Sequence, residues 1–244
     1  MNIKTLLKLI VPDKYHKNLS KLKIRIFDGY AIKSYSQEGE DMILRRLFEK
    51  QKKGFYVDVG AHHPKRFSNT FFFYKKGWRG INIDAMPNSM CLFNKIRPRD
   101  INIEISISDK KQKLKYYMFN EPALNGFSKE LAEKRDGKND YKIISEKEME
   151  TFTLEEILKK HLPHGQEIDF LSIDVEGLDL QVLKSNNWRR FRPKFVLVEI
   201  LESSINNISN SKEYTYLSEF EYEIFAMTVN TVIFRKMEVK GGIT

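Results

Sequence analysis

The chain has 244 residues, of which 41% are hydrophobic and 12% aromatic, and carries a net charge of +9. Those values suit one large globular α/β domain and exclude a disordered chain. No apolar run approaches the roughly 18–20 residues that span a bilayer, the start lacks the order of a secretory signal, and a lone Cys91 offers neither a disulfide nor a zinc site, which leads us to expect a cytoplasmic protein.

Charge is concentrated at the front. Residues 1–34 hold eight basic side chains (Lys4, Lys8, Lys14, Lys17, Lys21, Lys23, Arg25, Lys33) against Asp13 and Asp28, an excess of +6. Such an extension suits contact with an anionic membrane face or a nucleic acid, and equally serves solubility alone. Within it, residues 3–11 have roughly helical apolar spacing closed by Pro12, a pattern that lies in a membrane interface or packs on a domain. We take residues 1–33 as a basic extension and 34–244 as the folded domain. The polar stretch 34–41 leads into a helix with Met42, Ile43, Leu47 and Phe48 on one face, ended by Lys52, Lys53 and Gly54.

The rest of the chain is organised around residues 55–64, FYVDVGAHHP. A short apolar run carrying Asp58 reaches the glycine turn at Gly60, the pattern of a buried parallel strand that delivers a carboxylate and a close backbone to a nucleotide-like ligand. With Gly60 alone, the G-x-G-x-x-G pattern of a dinucleotide site is missing, which argues against a nicotinamide-dependent oxidoreductase. Ser68, Asn69 and Thr70 offer N-caps to a helix over 71–76, whose free N–H groups would suit an anionic ligand group. Residues 81–84 form a second strand ending in Asp84, 24 positions beyond Gly60, about where a doubly wound sheet holds the acid that binds a ribose.

A helix over 87–97 comes next, then a third strand over 101–107, ended by Ser108 and Asp109, and a short extra strand over 114–119. Residues 120–150 mix turn signals (Asn125-Gly126, Asp136-Gly137, Asn139-Asp140) with dense charge, the mark of an insertion that is either an active-site lid or a solvated excursion. Thr153 to Glu156 make a capping box. Strands at 168–174 and 195–199 end in Asp174 and Glu199, with Val175-Glu176-Gly177 and a helix reaching Trp188 between them. Strands over 220–225 and 231–234, without a helix between them, make an antiparallel hairpin at one edge. The alternation predicts a mostly parallel sheet covered on both faces, with Asp58, Asp84, Asp174 and Glu199 gathered at the rim where such sheets bind ligands.

Tyr56 to Ala61, Ile83-Asp84-Ala85 and Ile173 to Gly177, in this order and spacing, resemble the FkbM-type S-adenosylmethionine-dependent methyltransferases. Ser36-Gln37-x-Gly39-x-Asp41 and Ser68-Asn69-Thr70 also match that family; the likeness covers roughly 34–236. It implies a class I methyltransferase fold, Rossmann-like, with seven strands and a reversed last one. It also implies that Asp58, Gly60, Ala61 and His62 line the methionine half of the cofactor and that Asp84, beside Ala85, takes the ribose hydroxyls. Ile107 and Ser108 would flank the adenine and Asp174 would sit near the amino group, while Gln37, Ser68 and Asn69 join the cofactor set by motif. Where many members carry Asn or another polar residue after Gly-Ala, this chain has His62-His63-Pro64.

Members act mostly as O-methyltransferases on sugars, polyketides and other secondary metabolites, so the expected acceptor is a sugar hydroxyl of a nucleotide sugar or a bacterial surface glycan, or else a small metabolite. The candidate bases are Asp174, Glu176, His63 and Glu199. Asp174 and Glu199 could instead hold Mg²⁺ or Mn²⁺, hard cations that prefer oxygen ligands. An RNA-binding or RNA-methylating protein is the remaining alternative, and no interleaved basic and aromatic signature supports it.

Overall fold

In the computed structural model, residues 30–201 and 203–237 are described. The amphipathic stretch 3–11 and nearly all of the basic extension lie outside them. By contact density the chain divides between Ser34 and Tyr35, and the elements formed by the described residues lie in the second part. In order they are α1 (Glu40–Leu47), β1 (Phe55–Val59), α2 (Phe71–Lys75), β2 (Arg79–Asp84), α3 (Ser89–Ile96), β3 (Ile101–Glu104), β4 (Ser106–Ile107) and β5 (Lys113–Phe119). Then come α4 (Lys129–Arg135), β6 (Ile143–Phe152), α5 (Leu154–His161), β7 (Phe170–Ile173), α6 (Asp179–Lys184), β8 (Phe195–Glu199), α7 (Lys212–Ser218), β9 (Tyr222–Met227) and β10 (Thr231–Lys236). Among the described residues no helix is long and apolar enough to cross a membrane.

Seven strands form the main sheet in the order β3-β2-β1-β7-β8-β10-β9. The pairs from β3 through β8 are parallel, and β10 runs antiparallel to both of its neighbours, so the terminal hairpin closes the edge as expected. All five residues of β1 are buried, as a strand covered on both faces requires. Alternation then sorts its side chains. Phe55, Val57 and Val59 join Leu171, Ile173, Val196 and Val198 in one core with α5, α6 and α7. Tyr56 joins Phe170, Leu197 and Ile233 in a second core under α1 and α2. Each large apolar side chain fully buried there contributes about 1.5–3 kcal/mol.

Several local expectations are corrected. Of the expected stripe on α1, Phe48 is buried and Ile43 and Leu47 pack partly buried on the same core, while Met42 does not join them; the fully buried helix positions are Glu40, Asp41 and Leu44. Asp41 is buried because it accepts from Tyr35 N, Ser36 Oγ and Arg45 Nη2, so hydrogen bonding adds to the apolar contacts of that face. Residues 101–107 are two strands. β3 stays in the main sheet, while β4 leaves to pair with β6 in a separate sheet ordered β4-β6-β5. The ten-residue β6 has no strand signature in the sequence, because its exposed positions are nearly all charged or polar. Cross-strand pairs with β5 and the residues before it hold it: Lys111 with Glu150, Lys113 with Glu148 and Lys115 with Glu146. α7 is a further element without a sequence expectation, and α6 ends at Lys184, short of Trp188. The capping box at Thr153 and Glu156 is present as expected.

Candidate active site

The carboxyl ends of the parallel strands open into a cleft. Val59 and Gly60 reach it from β1, Ile83 and Asp84 from β2 with Ala85 and Met86 beyond, and Asp174 to Glu176 from the loop after β7. The facing wall is Ile105, Ile107 of β4, Tyr116 of β5 and the turn Pro122 to Phe127. Gln37, His62 and Phe67 complete the rim.

Two glycines allow these walls to meet. Gly60 has φ +83, and a Cβ there would stand 1.7 Å from the Asp174 carbonyl oxygen. Only glycine tolerates both demands. The residue expected to give a ligand close approach is thus required first by the protein's own backbone. At Gly126 a Cβ would stand 2.9 Å from Glu176 Cβ, so the insertion packs directly on the loop after β7. Two ion pairs hold it there. Arg135 Nη1 lies 2.7 Å from Glu176 Oε2, and Arg66 binds Glu121 through both guanidinium nitrogens at 3.0 and 3.1 Å. The insertion is a wall of the cleft.

Asp84 ends β2 nearly buried, at 8% exposure. Its Oδ2 accepts from His62 N and its Oδ1 from Met86 N, each at 2.8 Å. Burial raises its pKa, and those two N–H groups oppose the shift. Each oxygen keeps a lone pair for a further donor, the arrangement a vicinal diol needs. Across the cleft, carboxylate oxygens of Asp174, Glu176 and Glu199 lie within 4.8 Å of one another. Asp174 opens onto the cleft but is enclosed by protein on its other sides; that enclosure, and then Glu199 and Glu176, raise its pKa well above the carboxylate range. Burial, then Glu176 and Asp179, push Glu199 to about 9. Glu176 is raised by burial but pulled back by Arg135. Of the three, Glu176 therefore has the strongest local support for its ionised form. His62 is lowered to about 4 by burial and the Arg66 charge.

Of the residues expected as cofactor or catalytic groups, Gln37, Gly60, His62, Asp84, Ala85, Ile107, Asp174 and Glu176 line the cleft, and Glu199 joins its acidic end. The others do not. Asp58 is the penultimate residue of β1, so alternation turns its side chain to the opposite face. There it accepts from Thr70 Oγ1 and meets the charge of buried Arg97. Ser68 and Asn69 belong to the same buried region, bonding Thr70 and Phe71 N, and Ser172, respectively. The N-terminus of α2 is thereby closed from within. Ala61 packs on Met90 and Phe93, and Ser108 bonds Asp109. His63 caps its own turn, with Nδ1 accepting from Lys65 N and Arg66 N. Tyr116, Phe127 and Phe67 line the cleft and Arg135 pairs with its Glu176 from behind, and the sequence reading misses all four. The only hint of them is the Asn125-Gly126 turn signal.

A doubly wound sheet in this strand order, with one reversed strand and a strand-tip acid facing a glycine turn, defines the class I methyltransferase fold. The chain belongs to the FkbM methyltransferase family, whose domain model matches residues 58–224, and it is an S-adenosylmethionine-dependent methyltransferase. Among solved structures it is similar to a TehB-like SAM-dependent methyltransferase from Corynebacterium glutamicum, at 9% identity and a TM-score of 0.42, over 92% of this chain and 100% of that one. It is also similar to an O-methyltransferase from Bacillus cereus in complex with SAH, at 10% identity and a TM-score of 0.40, over 95% of this chain and 94% of that one. No curated protein matches the sequence.

Proposed function

We propose that this methyltransferase acts on a sugar hydroxyl, in a bacterial surface glycan or its precursor. The observation that carries the reading is the pairing, across one cleft, of a diol-binding acid, Asp84, with three clustered carboxylates. The cleft fits the cofactor on its own chemistry. Asp84 would take the ribose hydroxyls, and Ile105, Ile107 and Met86 offer apolar surface to the adenine. His62 Nε2 and Glu199 Oε2 are buried without a hydrogen-bond partner among the described residues, a cost that a bound polar ligand would offset. S-adenosylmethionine, when bound, supplies a methyl group already activated on a sulfonium.

The protein's own task is then to align the acceptor oxygen and to remove its proton. Alignment contributes up to about 7–11 kcal/mol, and a base about 10²–10⁴-fold. Glu176 is the base in this reading. Glu199, protonated at neutral pH, donates a hydrogen bond that orients the acceptor, and Asp174 accepts from a second hydroxyl. The 4.8 Å spacing of the three acids favours one further reading, in which Asp174 and Glu199 hold Mg²⁺ or Mn²⁺. Activity that falls in EDTA and returns with either metal would support it, and activity indifferent to both would end it. The positive charge of residues 1–33 adds a peripheral membrane contact to the proposal, read by cosedimentation with anionic vesicles before and after their removal.

Formation of S-adenosylhomocysteine over a panel of sugars and glycans tests the central claim. Glu176→Gln should lower turnover about 100-fold while leaving cofactor affinity nearly unchanged. Turnover at the wild-type rate would remove Glu176 as the base.

A further inference from the structure

A chain with 42 lysines and arginines and a net charge of +9 would be expected to show positive charge at most of its surfaces. Its cleft does not. None of the described residues lining it is Lys or Arg, whereas Asp84, Asp174 and Glu176 carry carboxyl groups, of which Glu176 has the strongest support for its ionised form. The two arginines nearest the walls are already engaged: Arg135 pairs with Glu176 and Arg66 pairs with Glu121 through both nitrogens. Lys65 is exposed and lies over the Phe71 ring. Behind the lining Glu199 completes the cluster as a neutral, protonated carboxyl, and Glu38 adds a further acid whose field reaches it. The one histidine in the lining, His62, is neutral at physiological pH and brings no positive charge.

We infer that the acceptor is a neutral or cationic sugar, with no phosphate or carboxylate close to the hydroxyl that receives the methyl group. This rests on the sugar-methyltransferase reading and narrows it, because it sets nucleotide-linked and uronic sugars apart from neutral and amino sugars. The physical reason is that an anion entering the cleft loses water and meets no cation, while like charges held together cost several kcal/mol. Part of the negative field faces the positive charge of the cofactor. Even so, none of the described residues lining the cleft is a cation that could compensate a negative acceptor. Neutral hydroxyls, by contrast, are donors for which carboxylates are the best acceptors, and an ammonium group is better still.

The test uses the full chain with S-adenosylmethionine and a matched set: methyl glucoside, glucosamine, glucuronate, glucose 6-phosphate and UDP-glucose. Each further acceptor that turns over is compared with its own uronate or phosphate form. Methyl transfer to the anionic member of each pair should be at least about tenfold slower than to its neutral or cationic twin. Equal or faster transfer to the anion would overturn the inference. Calorimetry with S-adenosylhomocysteine keeps the two claims apart, since failure to bind it would sink the methyltransferase reading itself. A second variant, Gln37→Arg, places a cation on the rim and should narrow the gap between twins. A gap left unchanged would show that charge does not decide it.

Discussion

Arg135 Nη1 lies 2.7 Å from Glu176 Oε2, joining α4 of the insertion to the loop after β7, with the two side chains only 21% and 13% exposed. Removing one partner strands a largely desolvated charge, which costs more than an exposed pair is worth. We expect Arg135→Gln to destabilise the fold by about 1–3 kcal/mol and Glu176→Gln to do so by less. In urea denaturation the double variant should show a coupling of at least about 0.5 kcal/mol. Strict additivity would mean that the pair is incidental.

Gly60→Ala tests the seam between β1 and β7. At φ +83 with the Asp174 carbonyl 1.7 Å from the added carbon, strain and steric overlap act together. The expected result is a loss of more than about 3 kcal/mol or failure to fold, read by thermal melting. A variant that melts within a degree or two of the wild type would show that the loops separate freely.

Asp58 and Asp84 sit on neighbouring strands but should respond in opposite ways. Asp84→Asn ought to weaken S-adenosylhomocysteine binding about tenfold or more, because it replaces one of two acceptors at the strand tip with a donor. Asp58→Asn ought to lower stability by about 1–3 kcal/mol, since it leaves buried Arg97 with one anion fewer, while cofactor affinity changes less than about threefold. Calorimetry on both variants decides, and equal losses of affinity would return Asp58 to the binding site.

The acidic cluster also sets a pH dependence with an unusual sign. Folding raises Asp179 from 3.8 to about 7 and Glu199 from 4.5 to about 9, chiefly through burial. A carboxyl raised on folding holds its proton more tightly in the native state. The associated stability is therefore complete below about pH 4, near the unfolded values, and is lost as pH rises through the folded ones. Glu199→Gln should melt a few degrees above wild type at pH 9, at about 2–4 °C per kcal/mol, with little difference at pH 5. The opposite order at the two pH values would contradict a raised Glu199.

Strand residues are legible wherever burial on both faces makes them continuously apolar, as in β1 and β8. Turn and cap chemistry is legible at Gly60 and Thr153, where few residue types satisfy the backbone. β6 is not, because its side chains are mostly exposed and polar and the lysines they pair with lie 31 to 39 positions away in sequence. Asp58 shows a subtler limit. Its place near a strand end is plain from the sequence, but which face of the strand meets the cleft is not: Val59 lines it, and alternation turns Asp58 the other way. His63 likewise has the chemistry of a reacting group, and that its Nδ1 accepts from Lys65 N and Arg66 N is visible only in the structure.

By itself the sequence determined the doubly wound sheet, its reversed edge strand and the acids Asp84, Asp174, Glu176 and Glu199, because periodicity and strand-end chemistry are local properties. Tertiary structure alone decided which carboxylates share the cleft, that Arg135 and Arg66 are consumed by ion pairs, and that a +9 protein offers no cation among the described residues of that cleft. Those facts depend on side chains brought together across 41 to 55 residues of chain, and electrostatic fields depend on distance in space rather than position in sequence.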